Sequence, residues 1–152
     1  MTDHAFIELA IQLAKENIEQ GGRPFGAVIV KHGVVVSTGV NQILISGDPT
    51  SHAELNALRQ AAQNLNTTSL KDCVVYASGQ PCPMCLAALR MVGVEKIVYA
   101  YSNADAEAYG LSTAEIAEKL RLEPHEQQGL SFSQLKPNCD HELYEFWKQK
   151  NT

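Results

Sequence analysis

The chain has 152 residues, 45% of them hydrophobic and 19% charged, with twelve Lys and Arg against seventeen Asp and Glu for a formal net charge of −5. That length suits one domain over residues 1–152, burying roughly 70% of its unfolded surface without staples. The acidic balance disfavours a nucleic-acid partner, which calls for a basic stripe, and no apolar run approaches the ~20 residues of a membrane span.

Residues 3–20 place Phe6, Leu9, Ala10, Leu13, Ala14 and Ile18 at three- and four-residue spacing, closed by Gly21-Gly22, which predicts an amphipathic helix packed on a sheet. Phe25–Lys31 and Val34–Thr38 are β-rich runs whose spacer, His32-Gly33, suits a two-residue hairpin. A loop over Gln42–Ser51 leads to a helix over His52–Leu65. Cys73–Ala77 reads as a buried strand, a Cys-bearing loop and helix follow, and Lys96–Tyr101 reads as a further strand. Strand–helix alternation there predicts a parallel pair after an antiparallel hairpin. Residues 104–122 read as irregular helix, Leu130–Leu135 as a short fifth strand, and His141–Lys150 as a last helix with Leu143, Phe146 and Trp147 on one side. The expected fold is α/β, a three-layer α-β-α sandwich around a five-stranded mixed sheet.

Four cysteines in a chain whose start, Thr2 to Phe6, carries no signal-peptide pattern point to a reducing, cytoplasmic setting and to metal or catalytic use. Cys82 and Cys85 fall at a helix start, where free N–H groups and the helix dipole favour thiolate. His52 falls at another, with 29 residues between it and Cys82. Zinc takes thiolates and imidazoles, and a catalytic site keeps three protein ligands and one open position. Glu54 lies roughly 200° of helical turn from His52, so it faces a water on the ion rather than the ion. That makes it the candidate general acid/base. Other readings stand beside this one: a thioredoxin-like dithiol made by Cys82 and Cys85, or a structural zinc whose fourth ligand is Cys73 or Cys139.

At Pro24-Phe25-Gly26-Ala27-Val28-Ile29-Val30, Asn41, Asp48-Pro49-Thr50, His52-Ala53-Glu54 and Pro81-Cys82-Pro83-Met84-Cys85 the chain resembles the cytidine deaminase-like superfamily of zinc hydrolases. Within it the chain is most similar to bacterial guanine deaminases, and next to tRNA adenosine deaminases. The resemblance implies one zinc ion per chain held by His52, Cys82 and Cys85, proton transfer by Glu54, and release of ammonia from a free nucleobase or nucleoside, a purine in preference. It implies substrate contacts from Asn41, Phe25 and Ala53, and a homodimer. In guanine deaminases the tail, here about residues 138–152, reaches over the partner's active site. Tyr144, Phe146 and Trp147 would form such a lid or else pack on their own core. Guanine deaminases also carry an acidic pair where this chain reads Gly110-Leu111-Ser112-Thr113, and a Trp where Met91 falls. Met91, Thr113 and Trp147 are therefore the candidate specificity positions, with cytosine or another amino-heterocycle as alternative substrates.

Overall fold

The computed structural model describes residues 1–137 and 142–152. Its first helix, α1 (Asp3–Glu19), starts at Thr2, whose hydroxyl accepts the Ala5 N–H at 3.2 Å and so satisfies one of the helix's open donors. The strands β1 (Gly26–Lys31) and β2 (Val34–Val40) pair antiparallel across His32 and Gly33. Both turn residues have positive φ, 50° and 78°, as a hairpin matching the twist of its strands requires. A short helix, α2 (Ile43–Ser46), interrupts the stretch expected as loop, and α3 (Ala53–Leu65) follows. Then come β3 (Cys73–Gly79), α4 (Pro83–Met91) and β4 (Lys96–Tyr101).

β3 runs antiparallel to β1 and parallel to β4, giving a mixed sheet in the order β2-β1-β3-β4. Its two faces are read directly from the period-2 alternation of β1. Val28 and Val30 pack with Phe6, Ala10 and Tyr76 under α1. Ala27 and Ile29 pack with Ala53, Ala57, Ala61, Val75 and Leu89 on the other side. Two glycines let helix backbone lie on strand backbone. A Cβ at Gly26 would stand 2.5 Å from the Ala10 carbonyl oxygen, and one at Gly39 would stand 2.3 Å from that of Ala53.

Among the described residues the sheet has four strands, not the five expected. Leu130–Leu135 is irregular. Its alternation of apolar and hydroxyl residues is that of a half-buried strand, but a strand exists only by pairing. Among the described residues no strand takes it up, and Leu130, Phe132 and Leu135 are all exposed. The irregular helical stretch resolves into α5 (Asn103–Ala106), a 3-10 turn (Glu107–Tyr109) and α6 (Ala114–Lys119). α7 (Glu142–Lys150) matches the last helix expected, whose first residue, His141, lies outside the described residues, as does Cys139.

The chain divides into two compact units, Met1–Glu118 and Lys119–Thr152. The first holds the whole sheet. The second holds a 3-10 turn (Pro124–Glu126) and α7, with Leu143, Phe146 and Trp147 exposed. Among the described residues no helix is long and apolar enough to cross a membrane.

Candidate active site

Two helix starts converge at one end of the sheet. His52 is the N-cap residue of α3 and Cys82 that of α4, both in extended backbone, with Pro83 opening α4. Proline suits that first helical position because its missing N–H would have had no partner there. Neither cap residue uses its side chain to cap, so imidazole and thiol remain for another purpose. α3 is fixed on β2 by side chains: Ser37 Oγ donates to the Ala57 carbonyl at 2.7 Å, and Asn56 Nδ2 to that of Val40 at 2.8 Å.

His52 Nδ1 lies 3.4 Å from Cys82 Sγ and 3.3 Å from Cys85 Sγ. All three ligand atoms fall within 4.8 Å of one another. Zinc bonds of ~2.3 Å to sulfur and ~2.0–2.1 Å to nitrogen, at tetrahedral angles, put N and S about 3.5 Å apart. The cluster fits that ion, and His52, Cys82 and Cys85 could hold it. Cys73 is elsewhere, buried in the core between the sheet and α3. Among the described residues no fourth ligand joins the cluster, as suits a site with an open position.

Electrostatics set the proton distribution of the metal-free chain. Cys85 donates its S–H to Cys82, and this hydrogen bond, with the backbone N–H groups of Cys85 and Met84, brings the Cys82 thiol down to about 5 despite burial. The same bond pushes Cys85 up, with burial and the Glu54 charge adding to it. The pair is therefore one thiolate and one thiol. Glu54, only 7% exposed, is raised to about 7. Burial is the main cause, the Cys82 thiolate adds to it, and His52 opposes it.

A cavity of about 250 Å³ opens beside this cluster, lined within the first unit by His52, Glu54 and Cys82, by Arg23, Phe25 and Asn41, and by segments 79–80 and 110–113. Of the expected substrate contacts, Asn41, Phe25 and Thr113 line it. Ala53 does not; it is fully buried at the start of α3 beneath the sheet. Met91 is 87% exposed at the far end of α4, away from the cavity. Trp147 belongs to the second unit.

Two polar lining residues escaped the sequence reading: Arg23 and Gln80. Gln80 had a signal in its place two residues before Cys82. Arg23 had none in the sequence.

The family model of the cytidine and deoxycytidylate deaminase zinc-binding region matches residues 1–101. Guanine deaminase of Bacillus subtilis (strain 168) is 38% identical over 136 residues, which cover 89% of this chain and 86% of that protein. An X-ray structure of guanine deaminase from Bacillus subtilis matches with a TM-score of 0.87 at 35% identity, covering 100% of this chain and 96% of the other. The tRNA-specific adenosine deaminase of Aquifex aeolicus (strain VF5) is 39% identical over 94 residues, 62% of each chain. The crystal structure of NE0047 in complex with 2,6-diaminopurine matches with a TM-score of 0.71 at 29% identity, covering 74% of this chain and 63% of that one. With a zinc-compatible His-Cys-Cys cluster at the helix starts and a family match over its first 101 residues, the chain belongs to the cytidine and deoxycytidylate deaminase zinc-binding family and is a hydrolytic deaminase.

Proposed function

We propose that the chain removes ammonia from a free purine base of guanine type, with one zinc on His52, Cys82 and Cys85 and with Glu54 moving the protons. The observation that carries this reading is the likeness along nearly the whole chain to a guanine deaminase. The cavity supports it: about 250 Å³ is just under the roughly 300–1,000 Å³ of drug-sized sites, as suits one heterocycle.

Zinc bound there supplies a water whose pKa falls from ~16 towards ~7, a nucleophile at neutral pH. Glu54, buried beside the cluster with its carboxyl raised chiefly by that burial in the metal-free chain, is placed to move protons in both directions. It accepts a proton from the water and gives it to the ring nitrogen beside the amino-bearing carbon. It then passes the second proton to the departing ammonia. Asn41 donates from its amide nitrogen to the base, and the Phe25 ring borders it. The protein works as a cytoplasmic homodimer.

The test is ammonia release by zinc-loaded protein from guanine, adenine, cytosine, ammeline and a pterin. Guanine should be turned over, and Glu54→Gln should keep its zinc while losing about 10²–10⁴-fold in kcat. Turnover of cytosine or ammeline with none of guanine sinks the purine assignment; full turnover by Glu54→Gln sinks the mechanism. A second reading, deamination of tRNA adenosine, is favoured by the 39% identity to a tRNA-specific enzyme and opposed by the net charge of −5. A salt-sensitive tRNA mobility shift with inosine formation would establish it.

A further inference from the structure

We infer that Arg23 is a specificity-determining residue: together with Gln80 and Asn41 it gives the cavity a donor wall that selects a base carrying a carbonyl oxygen over one carrying an amino group at the same position. The inference rests on the purine-deaminase reading and names the edge chemistry that the reading leaves open.

It follows from the hydrogen-bonding capacity left around the cavity once the protein's own bonds are made. Asn41 is buried, and its Oδ1 accepts the Ile43 N–H at 3.1 Å; among the described residues its Nδ2 has no partner. Gln80 Oε1 accepts the Asn103 N–H at 2.9 Å, which fixes the amide and leaves Nε2 as a donor. The Arg23 guanidinium is a pure donor with no hydrogen-bond or ion-pair partner among the described residues. Of the hydroxyls opposite, Thr113 Oγ1 spends its hydrogen on Asn103 Oδ1 at 3.3 Å, while Ser112 Oγ accepts the Ala114 N–H at 3.1 Å and keeps its own hydrogen. Among the lining side chains the one carboxylate is Glu54, which the reaction uses. What remains for the substrate is mainly donors: the Asn41 and Gln80 amides and the Arg23 guanidinium, with the Ser112 hydroxyl beside them.

The backbone of Arg23 is held in place. The Asn17 side chain, 3% exposed, donates from Nδ2 to the carbonyls of Arg23 and Asn41, both at 2.8 Å. One buried amide thus ties together the backbones that carry two of these donors. Gly22 packs on that amide so closely that a Cβ there would stand 2.4 Å from Nδ2. A carbonyl oxygen on the base satisfies such a wall. An amino group would set donor against donor and offer the wall no acceptor in place of the carbonyl.

The test compares guanine with 2,6-diaminopurine, which carries an amino group where guanine has its carbonyl. Calorimetry on zinc-loaded Glu54→Gln protein measures binding of both without turnover. Guanine should bind roughly 10–100-fold tighter, the span of a hydrogen bond to a charged group. Adding Arg23→Ala should bring the ratio close to one, and Arg23→Lys should keep part of it, with zinc content and melting temperature unchanged in both because the side chain is exposed. Equal binding of the two bases before Arg23 is changed, or a ratio that survives Arg23→Ala, overturns the inference. If guanine is nevertheless turned over by the wild-type protein, only this inference fails. If no purine is bound or turned over, both it and the proposed function fall.

Discussion

Cys82 and Cys85 differ in which of them carries charge before a metal arrives, and one hydrogen bond decides it. Cys82, brought down to about 5, is thiolate at any pH well above that value, while Cys85, pushed up, keeps the proton it donates. The thiolate is the reactive form. In chelator-treated protein at pH 7, iodoacetamide should therefore label Cys82 before Cys85 in a peptide map, and zinc should protect both. Cys73, buried in the core with its thiol raised chiefly by that burial, should stay unlabelled while the fold is intact. Labelling of Cys85 first, or of both at one rate, would contradict this proton distribution. At this scale the sequence was most legible where chemistry is packed into a few consecutive residues. His52-Ala53-Glu54 and Cys82-Pro83-Met84-Cys85 announce themselves because each sits at a helix start with metal-ligand spacing. Arg23 does not, because only the close of the sheet brings the turn after α1 beside Asn41 and the metal cluster. Met91 was placed by analogy of position, and the actual length of α4 carries it out of reach.

The elements hold the site by backbone approach as much as by side chains. Gly39 lies under the first turn of α3, where an added Cβ would meet the Ala53 carbonyl at 2.3 Å. That atom is helix backbone and cannot swing aside. Gly39→Ala should therefore cost about 1–3 kcal/mol of stability, the range of overpacking. Because His52 and Glu54 flank Ala53, the variant should also hold zinc more weakly, measured by competition with a colorimetric chelator. Unchanged melting temperature and unchanged zinc affinity would mean that the helix start yields freely. α1 is tied to the sheet in a different way. The Asp3 carboxylate accepts from the Tyr76 hydroxyl on β3 and from Lys96 Nζ on β4 at 3.1 Å, which holds its pKa below the ordinary 3.8. A lowered folded-state pKa contributes stability above the unfolded value and loses it as pH falls through the folded one. Asp3→Ala should thus lower the melting temperature at pH 7, and the gap to wild type should close as pH falls past the ordinary 3.8 and through the lowered folded-state value. A gap that stays constant into acid would assign the effect to packing. The hairpin and the parallel pair were legible because alternation and turn chemistry are local. Leu130–Leu135 was misread because alternation states which side a strand would bury, never whether a neighbour exists to pair with it.

At the scale of the molecule, α4 and β4 each expose apolar side chains to solvent in the single chain. Met84 and Leu86, on either side of Cys85 in α4, are 37% and 46% exposed. Tyr99 and Tyr101 are exposed on β4, which has one strand neighbour among the described residues. Apolar area gathered on one helix and one sheet edge marks an interface more often than a solvated face, and here it adjoins the helix that supplies two of the three candidate ligands. Self-association and metal binding should therefore be coupled. Light scattering behind size exclusion should give twice the chain mass at tens of micromolar. Leu86→Glu should shift the protein to monomer, since a carboxylate buried at an apolar interface lacks a partner. If the interface steadies α4, the monomeric variant should also release zinc faster to a chelator than wild type does. Leu86 is exposed in the single chain, so the substitution leaves the fold of each copy intact, and circular dichroism should be unchanged. A wild-type chain that stays monomeric up to hundreds of micromolar would refute the dimer. A dimeric Leu86→Glu protein would move the interface away from α4, and zinc release at the wild-type rate from a monomeric variant would uncouple assembly from the metal site.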